Sequence, residues 1–78
     1  MLKQFLAQRR TARRTARRHR IAMAAARDAI LYGPDEPTPG DVANFAYGST
    51  GITLTDDEAR AALAAHLARY GRRLPDGN

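Results

Sequence analysis

Residues 10–18 read Arg-Thr-Ala-Arg-Arg-Thr-Ala-Arg-Arg, a four-residue repeat dominated by one kind of chemistry. A guanidinium stays charged throughout the physiological range, and its planar fork of donors matches phosphate oxygens in bidentate geometry. Residues four apart are neighbours on a helix. Arg9, Arg13 and Arg17 therefore form one row and Arg10, Arg14 and Arg18 the next, with Arg20 beyond them. Residues 1–20 hold Lys3 and these seven Arg, and no acid. Like charges at i and i+4 repel by about a few tenths of a kcal/mol per pair. A solvated surface helix ordinarily alternates signs, so a face this dense in one sign implies that negative charge comes from elsewhere. We expect the phosphate backbone of DNA or RNA, held by Arg9, Arg10, Arg13, Arg14, Arg17, Arg18 and Arg20, with hydroxyl contacts from Thr11 and Thr15. The amides nearby, Gln4 and Gln8, lie at the edge of the rows, which favours contact with the backbone over reading of bases.

Other ligands fit this face less well. An acidic protein surface would also neutralise it, which makes a non-catalytic interaction module or inhibitor the alternative reading. Ala12 and Ala16 stand at i and i+4 on the side away from most of the Arg and would let a second helix approach closely, so a homodimer through this seam is a further expectation. An interfacial membrane helix needs a bulky apolar face opposite its cations. Here that face offers Ala12 and Ala16, with Leu2, Phe5 and Leu6 as a small anchor. No apolar run approaches the ~20 residues of a membrane span.

Catalysis and metal chemistry find no support. The chain has no Cys, and His19 and His66 fall on separate elements without a carboxylate at ligand spacing, so neither a metal site nor a cofactor is expected. Ser49 is the sole serine and has no acid–base partner within helical reach. Gly48-Ser49-Thr50-Gly51 lacks the lysine and spacing of a phosphate loop. The absence of Cys and of an apolar leader core after the N-terminus leads us to expect a cytoplasmic protein. Arginine outnumbers lysine 12 to 1, a bias that fits a GC-rich coding sequence of phage or bacterial type.

The elements that must position the arginines can be read from breakers and caps. Residues 2–32 contain neither Gly nor Pro and favour helix throughout. Phe5, Ala12, Ala16, His19, Met23, Ala26 and Ile30 share one narrow arc, which predicts the buried seam. Gly33-Pro34 ends this helix. Pro34–Pro39 is a stiff connector. Thr38-Pro39-Gly40-Asp41 then reads as a helix start, with Thr at the N-cap and Pro at N1. The second helix is expected over 39–47, burying Val42, Phe45 and Ala46, and broken by Gly48–Gly51. Ile52-Thr53-Leu54 is a short extended piece. Thr55-Asp56-Asp57-Glu58 is a capping box. It opens a third helix to Tyr70, with Ala59, Leu63, His66, Leu67 and Tyr70 on one face and Gly71 closing it. The break is too long for a helix-turn-helix, and Asp56–Glu58 would repel phosphates at the start of its second helix.

Of the hydrophobic residues, 16 are Ala and 18 are larger, so the core is small and has no disulfide to staple it. A helix of ~30 residues is about 45 Å long, longer than two short helices can cover. The expected fold is all-α: a small three-helix protein with a long basic N-terminal helix and two shorter helices packed on its C-terminal half, around Met23, Ile30, Leu31 and Tyr32. Residues 1–20 form the basic arm, 21–71 the helical core and 72–78 a tail. Five Arg against eight acids over 21–78 make the body mildly acidic. Asp35, Glu36, Asp41 and Asp56–Glu58 are expected to face away from the arm.

Overall fold

The computed structural model describes the backbone of residues 2–71 and the side chains of residues 8–71. The expected tail at 72–78 and the side chains of Leu2, Phe5 and Leu6 lie outside the described residues. Three helices follow one another: α1 (Leu2–Tyr32), α2 (Pro39–Thr50) and α3 (Asp56–Tyr70), and no strand occurs among the described residues. The fold is therefore all-α, with a long first helix and two shorter ones. The three helices contact one another pairwise. A compact chain of this length has a radius of gyration near ~11–12 Å. Here it is 14.3 Å and the molecule measures 50 × 23 × 18 Å. The long axis is essentially the length of α1, about 46 Å at ~1.5 Å per residue.

Local chemistry sets both helix starts. Thr38 caps α2, accepting from the Asp41 N–H, while the Asp41 carboxylate accepts from the Thr38 N–H at 2.7 Å. Thr55 and Glu58 do the same for α3, the Thr55 N–H reaching Glu58 Oε1 at 2.9 Å. Each box satisfies two N–H groups that the helix itself leaves without partners. Gly71 closes α3, its N–H donating to the Leu67 carbonyl.

One helix end differs from the sequence expectation. α2 does not stop at Tyr47 but runs through Gly48 and Ser49 to Thr50. The Ser49 and Thr50 hydroxyls bond back to the carbonyls of Phe45 and Ala46, at 2.9 and 2.7 Å, and hold the extra turn. Gly51 provides the stop instead. It adopts φ 73°, a left-handed conformation natural to glycine, and its N–H donates to the Tyr47 carbonyl.

The larger correction concerns the face that α1 buries. The buried residues of α1 are Ala22, Ala25, Ala26 and Ala29. They meet Val42 and Ala46 of α2, Leu54 of the connector, and Ala59, Ala62 and Leu63 of α3. Met23 and Ile30 are only half-buried, and Leu31 and Tyr32 are 42% and 75% exposed. At ~100° per residue the true core face lies about a quarter turn from the seam of Met23 and Ile30. The reason is volume. Three helices converge so closely that the largest fully buried side chain is Val42. From α1 only alanines enter the core, while Val42, Leu54 and Leu63 supply its bulk from the other elements and Met23 and Ile30 fill the margins.

Gly33 continues the core face one turn past Ala29, and its N–H donates to the Ala29 carbonyl at 3.0 Å. A Cβ at Gly33 would collide with that same backbone oxygen. Gly33→Ala is therefore expected to cost more than about 1 kcal/mol, read as a lowered midpoint in urea.

Candidate nucleic-acid interface

α1 divides at Arg18. Every described residue from Gln8 to Arg17 is exposed, and of these Thr15 lines a groove shared with α3. From Arg18 onward one side is covered. α2 runs back along α1 and delivers Thr53 beside Arg18. α3 then runs in the same direction as α1, with Glu58 against Arg18 and Ala62 beside Ala22.

Arg18 was expected among the ligand-binding rows, and the structure places it elsewhere. Its guanidinium grips the Glu58 carboxylate with two bonds, Nε to Oε2 at 2.7 Å and Nη2 to Oε1 at 2.6 Å. Nη2 also donates to the Thr53 carbonyl at 2.9 Å. Its side chain keeps 31% of its exposure and that of Glu58 29%. Its Nε and Nη2 donors are thus spent on the fold. Glu58 thus accepts from Arg18 and from its own N-cap, tying the start of α3 to the middle of α1. The expectation that Asp56–Glu58 face away from the arm is corrected at the same point. Glu58 pairs with Arg18, and Asp57 lines a groove with Thr15 and His19. Asp56 pairs with Arg60 on its own helix at 2.6 Å.

Thr15 also departs from its expected role. It lines the groove between α1 and α3, about 470 Å³ in volume, with His19, Ala22, Ala61 and Ala65. At ~100° per residue, Thr11 shares the side of α1 that carries Thr15 and Ala22. Both hydroxyls therefore point away from the main arginine arc.

Six arginines form that arc. Arg9, Arg10, Arg13, Arg14, Arg17 and Arg20 are all exposed. At ~100° per residue they span about 140° of the helix, centred roughly 150° from the core face. Over their 11-residue separation the helix rises about 16 Å at ~1.5 Å per residue. Arg10, Arg13, Arg14, Arg17 and Arg20 have no ion-pair partner among the described residues. Ala12 and Ala16 are exposed between this arc and the groove.

Three groups titrate away from their ordinary values. The Arg18 hydrogen bond first, then the Thr55 N–H, holds the Glu58 carboxyl at about 2 instead of 4.5. The same contact raises Arg18. The unfolded chain takes up a proton on Glu58 that the folded chain refuses. Stability present above pH 4.5 is therefore lost as the pH falls towards about 2. Glu58→Gln is expected to flatten that limb. It should also lower the neutral-pH melting temperature by at most roughly 4–8 °C, because the amide still closes the capping box and only the ion pair with Arg18, worth up to about 1 kcal/mol, is lost.

His66 supplies an earlier limb. It is 4% exposed, and its Nε2 is buried without a hydrogen-bond partner. Burial, with Arg27 nearby, pushes its imidazole below 6.5. Stability therefore begins to fall as the pH drops below 6.5, because the unfolded imidazole binds the proton first. His66→Leu is expected to remove this limb from a pH series of thermal melts. It should be neutral or stabilising by up to about 1 kcal/mol, since it deletes an unpaired buried polar atom.

Among the described residues no helix is long and apolar enough to cross a membrane, and no three metal-ligating side chains come together. No known protein family, curated protein or solved structure matches the chain.

Proposed function

We propose that this is a small nucleic-acid-binding accessory or regulatory protein. It would hold the phosphate backbone of DNA or RNA through the exposed arginine arc of α1, by mainly electrostatic contacts. One observation carries the reading. Arg10, Arg13, Arg14 and Arg17 are exposed and form no ion pair among the described residues, so stability does not explain them. A surface whose exposed like charges repel one another calls for an external anion. Phosphate oxygens match the guanidinium fork in shape and charge.

Arg18, Thr11 and Thr15 are outside the proposed interface, which is reduced to Arg9, Arg10, Arg13, Arg14, Arg17 and Arg20. With five or six phosphates neutralised, the log–log salt slope is expected to be about −5. The test is fluorescence anisotropy of the protein against duplex DNA, hairpin RNA and single strands across a salt series. Sub-micromolar binding with that slope supports the proposal. No binding to any nucleic acid at the lowest salt overturns it and leaves an acidic protein surface as the ligand.

A further inference from the structure

We infer that the exposed half of α1 enters the major groove of B-form duplex DNA, arginine arc first. This rests on the proposed function and names its ligand. Three features of the molecule point to it.

The first is access. From Gln8 to Arg17 every described residue is exposed, and only on the Thr15 side, away from the arginines, does α3 come near. A bare helix with its side chains is about 10–12 Å across, and the B-form major groove is about 12 Å wide and 8.5 Å deep. The major groove of A-form RNA is deep and too narrow for such a rod. The second is the position of the body. α2 and α3 pack against Ala22, Ala25, Ala26 and Ala29, on the side of α1 roughly opposite the arginines. No packed element stands between the arc and a groove floor. The acids at the start of α3, Asp57 and Glu58, begin at the level of Arg18 and lie on the far side.

The third feature is the width of the arc. A helix laid against the outside of a duplex meets a convex ridge, and one row of cations would serve it. Six arginines spread over about 140° can all meet the duplex at once only on a concave surface. Arg17 and Arg13 near the middle then face the floor, where an arginine fork meets guanine O6 and N7. Arg9 and Arg20 on one flank and Arg14 on the other reach the two phosphate walls. The inserted length from residue 8 to 17 is about 15 Å, which covers about 4–5 base pairs at ~3.4 Å each.

The experiment is dimethyl sulfate methylation of a mixed-sequence DNA duplex at saturating protein in low salt, with binding to the same sequence as duplex RNA measured alongside. Guanine N7 lies in the major groove and adenine N3 in the minor. The expected result is guanine N7 methylation slowed at least about threefold, with adenine N3 unchanged. Duplex RNA should bind at least about tenfold more weakly. Arg17→Gln should lose the N7 protection and about one unit of salt slope, whereas Arg14→Gln should lose the slope and keep the protection. Protection at adenine N3, bound DNA with neither position slowed, or duplex RNA bound as tightly as DNA would each overturn groove entry while leaving phosphate binding intact. Absence of binding to either duplex overturns groove entry, and absence of binding to single strands as well overturns both.

Discussion

Changing Arg10, Arg13, Arg14 and Arg17 together to Gln is expected to weaken binding to duplex DNA roughly a thousandfold at ~0.1 M salt. Each phosphate neutralised releases about 0.9 of a counterion. At ~0.1 M salt, four lost contacts therefore remove between three and four powers of ten from the binding constant. The log–log slope should fall from about −5 to about −2. The four side chains are exposed and form no ion pair among the described residues, so the melting temperature should hold or rise slightly as like charges are removed. Arg18→Gln is the informative contrast. It deletes the grip on Glu58 and Thr53, so it should lower the melting temperature while leaving the salt slope within about one unit. Melts followed by circular dichroism, with anisotropy on the same samples, separate the two effects. A quadruple variant that binds within threefold of the parent would exclude the arc as the interface.

The second large effect is expected in the alanine core. Ala29 is fully buried where α1 meets the other two helices, whereas its neighbour Ile30 is only half-buried. Ala29→Leu adds three carbons where no space exists. Overpacking costs about 1–3 kcal/mol, and a core in a domain of this size rarely supplies more than ~3–5 kcal/mol. The variant should lose roughly 10 °C or more in melting temperature. Ile30→Ala should cost only about 1 kcal/mol, because part of its surface is wet in the folded state. The opposite order, with Ile30→Ala the more damaging, would mean that α1 packs through the Met23–Ile30 seam. Thermal melts of the two variants decide it.

That contrast shows why the packing face was hard to read from residue types. Periodicity weighs bulk, and Met23 and Ile30 outweigh the alanines beside them. Close helix packing selects for the absence of bulk, so the true face is the one with least to notice. A signal was nonetheless present. Ala22, Ala25, Ala26 and Ala29 follow the 3–4 spacing of a helix face, and Gly33 extends it by one turn. Arg18 stands one turn before Ala22 on that face, which makes it the ladder member best placed to meet a packed neighbour.

The sequence by itself determined what is local. The Thr38–Asp41 and Thr55–Glu58 boxes, the helix end before Gly33 and the close of α3 at Gly71 each involve groups within about four residues, so residue order was enough. The one-signed arginine run was equally legible, because charge needs no fold to be counted. Tertiary structure alone decided that Arg18 is the ladder member taken up by Glu58 and Thr53. Arg18 and Glu58 lie 40 residues apart, and their meeting depends on the direction in which α3 returns along α1. The same return path turned Thr15 toward the α1–α3 groove and left the other six arginines facing outward. Such choices follow from how three small-residue faces nest together, a property of all three helices at once and of no segment alone.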